Sequence, residues 1–181
     1  SPGPTIADNA TNNGAATSPG AFTASITGLS AGTTYYVKAF ATNDLLPTAY
    51  GNQVSFTTFK LPTVTTQEVT SINQTTATGN GTITDLGIPN PTQHGVCWNT
   101  TGTPTTADNK TEQGPRSVTS PFTSSITGLS PGTVYYLRAY TTNAAGTVYG
   151  NQVSFSSLAL PSVTTEQVTD KTKNSATGNG N

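Results

Sequence analysis

Two stretches of this 181-residue chain, about 100 residues apart, are near-copies of each other. Phe22 to Asn43 reads FTASITGLSAGTTYYVKAFATN, and Phe122 to Asn143 reads FTSSITGLSPGTVYYLRAYTTN. The correspondence continues outside them. PTIADN at Pro4 returns as PTTADN at Pro104, YGNQVSF occurs at both Tyr50 and Tyr149, LPTVTTQEVT at Leu61 returns as LPSVTTEQVT at Leu160, and ATGNG occurs at Ala77 and Ala176. A fixed period must be read before any local pattern, because it decides what the structural unit is. Here it predicts the C-terminal part of a first repeat over residues 1–60, a complete unit over 61–158 and the N-terminal strands of a third over 159–181. The offset shortens by one residue between NDLLPTAY and NAAGTVY, a small deletion of the kind loops accept.

The stretch Ile83 to Thr100 occurs once, so the chain starts and stops in mid-unit. A unit cut through a sheet leaves unpaired strand edges and an open core. Two readings follow. The chain is a window on a longer tandem array, or neighbouring chains complete one another, the strands after Leu160 filling the first unit of the next molecule. The lack of a second copy of Ile83–Thr100 counts against full complementation. The sequence contains no Met and no visible signal peptide, which points to a processed or excerpted piece.

Only 8% of the residues are charged and the net charge is −1. No basic field is present to attract nucleic acid or anionic lipid, and no apolar run approaches the ~20 residues needed to span a membrane. Thr makes up about a fifth of the chain, and its branched Cβ favours strands. Cys97 is the single cysteine, so no internal disulfide forms. Low charge with abundant Thr and Asn suits an exported surface protein.

Apolar positions recur with period two almost everywhere. Strands are expected over Thr63–Val69, Thr75–Leu86, His94–Asn99, Phe122–Leu129, Thr133–Asn143 and Asn151–Ser157, separated by turn signals such as GIPNP at Gly87, SPG at Ser130 and NAAG at Asn143. Short, evenly spaced strands without a helical pattern read as an antiparallel β-sandwich, and a unit of about a hundred residues can fold without disulfides.

The run LSPGTVYYLRAY resembles the corner and sixth strand of a fibronectin type III domain. In that family a Leu closes one strand, a turn and a Thr follow, and a buried Tyr comes six positions after the Leu. Leu129 and Tyr135 fill those places, as do Leu29 and Tyr35 in the first copy, where Ala31 stands for the turn proline. GVCWNTTGTPTTADN resembles tandem modules of this kind from large secreted bacterial proteins. The resemblance covers essentially the whole chain and implies an all-β fold of tandem immunoglobulin-like (fibronectin type III-like) antiparallel β-sandwiches. It is specific for fold and not for function. Alternation then buries Tyr135, Leu137 and Ala139, and turns Tyr136, Arg138 and Tyr140 outward. In the first copy it buries Tyr35, Val37 and Ala39.

Candidate sites are few. His94, Cys97 and Trp98 are the only cluster of reactive types; period two separates His94 from Cys97, so a core Trp, a small buried Cys and a loop-proximal His are expected, not a nucleophile pair. Asp8 and Asp108 recur in ADN and read as loop-shaping turns rather than metal ligands. The outward aromatics Tyr36, Phe40, Tyr136 and Tyr140, with Trp98 as an additional member, form either a glycan-stacking strip or ordinary cross-strand packing. Asn-X-Thr sequons stand at Asn9, Asn73, Asn80, Asn99 and Asn109; Asn9 and Asn109 are the preferred glycosylation candidates, being expected in the same loop. No catalytic constellation, metal site or cofactor is expected.

The expectation from sequence is therefore a non-enzymatic extracellular or cell-surface repeat protein forming a stalk, fibre or adhesin, with copies of itself or adjacent repeats as head-to-tail partners. The alternative is a carbohydrate-binding or spacer module of a larger secreted enzyme, with surface carbohydrate as partner.

Overall fold

Thr133 to Asn143 alternates apolar and polar residues under a chain that has already turned at Pro131-Gly132, and this stretch forms the longest strand of one sheet, β10 (Val134–Asn143). A computed structural model describes residues 3–43, 45 and 47–181. Ser1, where the first partial repeat was taken to begin, and Asp44 and Leu46 of NDLLPTAY lie outside the described residues.

Residues 61–158 build a two-layer β-sandwich. One sheet has the order β5 (Thr63–Thr70), β6 (Thr76–Asp85), β9 (Pro121–Thr127). The other runs β8 (Asn109–Lys110), β7 (Gln93–Asn99), β10, with β11 (Gly146–Tyr149) and β12 (Val153–Ser156) both paired to the far edge of β10. All pairings are antiparallel. The six strands expected from sequence in this unit are present; β8 and β11 are additional, too short to show a period of their own.

The two sheets meet through Val64, Ala77, Ile83, Phe122 and Ile126 on one side and Val96, Trp98, Tyr135, Leu137, Ala139 and Phe155 on the other. Gly79 and Gly81 are needed where the layers approach. A Cβ at Gly81 would sit 2.5 Å from the Phe122 ring and 2.8 Å from the Ala139 methyl. The corner is fixed as the alternation requires: Leu129 is buried, the Tyr135 ring stacks on Phe155 at 5.6 Å, and its hydroxyl accepts the Ser130 N–H at 2.9 Å.

The first part of the chain repeats this local geometry with less around it. β1 (Thr34–Val37) pairs with β4 (Val54–Thr57), and β2 (Phe40–Ala41) with β3 (Ala49–Tyr50). The Tyr35 hydroxyl accepts the Ser30 N–H at 2.9 Å and its ring stacks on Phe56 at 5.9 Å. Leu29 and Tyr35 are nevertheless only half-buried. Phe22 and Ile26 are 62% and 49% exposed, against 6% and 0% for Phe122 and Ile126. At the other end β13 (Thr165–Thr169) and β14 (Thr177–Gly180) pair with the register Thr165↔Gly180, Glu166↔Asn179, Thr169↔Thr177. The counterpart pairs in β5·β6 are Thr66↔Gly81, Gln67↔Asn80 and Thr70↔Thr78, with an irregularity at the same point.

Lys60 joins the first part to the sandwich. Its backbone bridges to Ile88, its carbonyl accepts the Asn143 side-chain amide at 2.8 Å, and its ammonium pairs with Asp85. Asn143 also donates to Pro89 O at 2.8 Å, tying the junction to the β10–β11 turn.

Candidate functional site

The outer face of the β8-β7-β10-β11 sheet is covered by its own chain. Residues 100–108 leave β7, cross the sheet and reach the opposite edge, where the Thr103 N–H donates to the Gln152 side chain. Thr106 donates its backbone N–H at 3.1 Å to the Tyr149 hydroxyl, and its side-chain oxygen lies 3.0 Å from the same atom. Arg138 lies 4.7 Å over the Tyr149 ring and donates Nε to Gly150 O at 2.9 Å, while Pro104 is fully buried. The turn of this flap is set by Asp108, whose Oδ2 accepts Thr105 N at 2.8 Å. Asp8 does the same for Thr5 at 2.9 Å, and Ile6 N donates to the Tyr50 hydroxyl at 3.1 Å. The recurrence of PTxADN and YGNQVSF is thus the recurrence of a flap and its anchor. Asp8 and Asp108 each close a turn on the threonine three residues before.

The flap and the 109–113 segment correct two expectations. Tyr140 does not face solvent: its ring is 1% exposed and its hydroxyl donates to Thr111 O at 2.7 Å. Thr111 comes this close because residue 95 is glycine, where a Cβ would collide with the Thr111 backbone. Trp98 is a core residue between the sheets. An aromatic strip of Tyr36, Phe40, Tyr136 and Tyr140 is therefore not brought together. Tyr36 is exposed, Phe40 and Tyr136 are half-buried, and the two pairs belong to different parts of the chain. Asn9 is exposed in a bend, whereas Asn109 is exposed within β8 rather than in a loop.

His94 does lie against a loop, residues 111–120. It is buried at the start of β7, with its ring edge-on to Phe122 at 4.9 Å. Its Nδ1 lies 2.8 Å from Gly114 O and its Nε2 lies 3.4 Å from an Arg116 nitrogen. Burial lowers its pKa, against the bond to Gly114 O, which favours the charged ring, and with the help of the Arg116 charge. Cys97 is buried on the other side of β7 and donates to Arg138 O at 3.5 Å; burial pushes its thiol up to about 12. A thiol so held is not a thiolate at neutral pH. The two reactive side chains are thus separated by the sheet and each is engaged in holding it.

Between the free edges of β5 and β12 the sandwich has a seam. One end is closed by Asn151, whose Oδ1 accepts the Thr66 N–H at 3.2 Å, and by Thr66 Oγ1 accepting the Ala139 N–H at 2.9 Å. Gly150 permits this, since a Cβ there would meet Thr66 N at 2.6 Å. The other end is closed by the Leu158 N–H donating to Asn73 O at 3.1 Å. The middle stays open as a groove of about 550 Å³ lined by Glu68, Val69, Ile72 and Gln152 to Phe155. None of these residues stood out in the sequence as a site. Period two sets Val153 and Phe155 on one face but puts Val69 opposite Val64; the register irregularity between Gln67 and Thr70 turns it toward the groove, and the gap exists because two strands distant in sequence fail to pair.

No protein-family profile matches the chain, and no curated protein matches it. Solved structures do. The sensor domain of the anti-sigma factor RsgI4 from Pseudobacteroides cellulosolvens is similar at 16% identity and a TM-score of 0.46, over 56% of this chain and 78% of that one. A longer version of the same sensor domain is similar at 17% identity and a TM-score of 0.42, over 60% and 100%. A computationally redesigned β-sandwich protein is similar at 22% identity and a TM-score of 0.38, over 55% and 96%. These are likenesses of fold. The expectation of a stalk, fibre or adhesin is corrected at this point: the natural proteins among these neighbours are sensor domains of a regulatory factor. No helix among the described residues is long and apolar enough to cross a membrane.

Proposed function

We propose that residues 61–158 are a non-enzymatic recognition module in an extracellular protein built of successive fibronectin type III-like sandwiches, and that the module takes a neutral carbohydrate in the seam groove. The observation that carries this reading is the groove itself. Its volume falls in the range of ordinary ligand sites, roughly 300–1,000 Å³. Glu68 and Ser154 line it beside Val69, Ile72, Val153 and Phe155, and Gln152 at its rim accepts the Thr103 N–H. That lining, with more polar than apolar surface, suits an uncharged, hydroxyl-rich ligand. The structural engagement of His94 and Cys97 supports a module that binds without transforming. A sensing role, the one named for the RsgI4 domains, is compatible with a groove of this kind.

The test is a titration with neutral hexasaccharides of β-1,4-linked glucose, xylose and N-acetylglucosamine, followed by backbone amide chemical shifts. Shifts confined to residues 68–72 and 152–155, abolished in Ser154→Trp, are expected. No shift at millimolar sugar, or shifts that persist in Ser154→Trp, would overturn the reading.

A further inference from the structure

We propose that residues 113–121 form a pH-responsive clasp, latched to β7 while His94 is neutral and released when its imidazole takes a second proton. The clasp is fastened near the start of β7 by four contacts. Gln113 N donates to His94 O at 3.0 Å, Gly114 N donates to the Gln93 side-chain oxygen, Arg116 N donates to Pro91 O at 3.0 Å, and His94 Nδ1 meets Gly114 O at 2.8 Å. A carbonyl only accepts, so Nδ1 carries the imidazole proton and Nε2 presents a lone pair. That lone pair faces the Arg116 guanidinium at 3.4 Å. Arg116 in turn gathers the rest of the segment, donating to Pro121 O at 2.9 Å, to Val118 O at 3.4 Å and to the Ser120 side chain.

Protonation of Nε2 turns this acceptor into a donor and sets an imidazolium against a guanidinium in a buried site. Both changes drive Arg116 away, and Arg116 is what holds the carbonyls of the clasp. The charged group acting on the ring is Arg116. β10 places Thr141 opposite His94, and β9 brings the Phe122 ring. Lys110 and Glu112 of the adjoining segment pair with each other at 2.9 Å, and the nearby Cys97 and Tyr140 both have pKa values of about 12, so neither ionises in the range that matters. The first copy carries Ala16 where this one has Arg116, so the device belongs to the complete unit.

The sign follows from linkage. A base whose pKa is lowered in the latched state binds its proton better when unlatched, so opening is favoured as pH falls below the ordinary His value of about 6.5. Amide hydrogen exchange on the full chain, corrected for the intrinsic pH dependence of exchange, reads this directly. Protection at Gly114 and Arg116 is expected to be lost between pH about 7 and about 5, while protection at Leu137 holds. His94→Gln should make the clasp amides insensitive to pH. Arg116→Gln should raise the His94 pKa, read by imidazole proton shifts, and loosen the clasp at neutral pH. Clasp protection unchanged down to pH 5, the same pH profile in His94→Gln, or simultaneous loss at Leu137 would each overturn the proposal.

Discussion

Leu129, Tyr135, Leu137 and Phe155 show how far a single residue's role can be read from period two. Alternation or the corner motif turns Leu129, Tyr135 and Leu137 inward, period two sets Phe155 on one face with Val153, and all four are buried. Two consequences are measurable. Tyr135→Phe removes the acceptor of the Ser130 N–H and should cost about 1 kcal/mol in denaturant unfolding, with the ring stack kept. Gly81→Ala forces a methyl against Phe122 and Ala139 and should cost about 1–3 kcal/mol, an effect no propensity scale anticipates for an alanine in place of glycine. Tyr140 and His94 mark the limit of the method. Alternation gives the side of the sheet a residue points to, not what else lies on that side. Tyr140 points outward and is covered by Thr111; His94 is covered by the irregular 113–120 loop, which engages both ring nitrogens. Neither covering segment has a period of its own to announce it.

At the scale of elements, the flap over residues 100–108 accounts for the repeat of PTxADN and of the tyrosine that opens YGNQVSF. The Asp108 carboxyl is held below its ordinary value first by the Thr105 backbone N–H, then by side-chain contacts with Asn99 and Thr105. A carboxyl with a lowered folded pKa contributes stability above its unfolded value of 3.8, and that contribution is lost as pH falls through the folded value. Thr106 amide exchange should therefore accelerate in acid below that range, and Asp108→Ala should show fast exchange at neutral pH and little further change in acid. Equal exchange in the two proteins at neutral pH would mean that the flap does not depend on this turn. The repeat made the importance of PTxADN and YGNQVSF legible. It did not make legible that Pro104 of the flap is buried or that Tyr149 anchors the flap, because that contact joins residues more than forty positions apart.

At the scale of the molecule, the same residues are buried in one place and bare in others. Val64 is 8% exposed in β5, and Val163, its counterpart at the opening of the last repeat, is 84% exposed. The hairpin β13·β14 nevertheless keeps the register of β5·β6, so the local sequence specifies the ribbon and the opposing sheet supplies the burial. The central claim is that the register of this ribbon is set locally and that its burial comes from an opposing sheet. Asn181 aligns with Thr82, so a chain carrying a second copy of residues 83–158 after Asn181 supplies that sheet in register. Amide hydrogen exchange at residues 165–169 and 177–180 of this extended chain is the direct measurement. The account predicts that their protection rises to that of residues 66–70 and 78–81 in the same molecule. Protection that stays at the level of the unextended chain would contradict it.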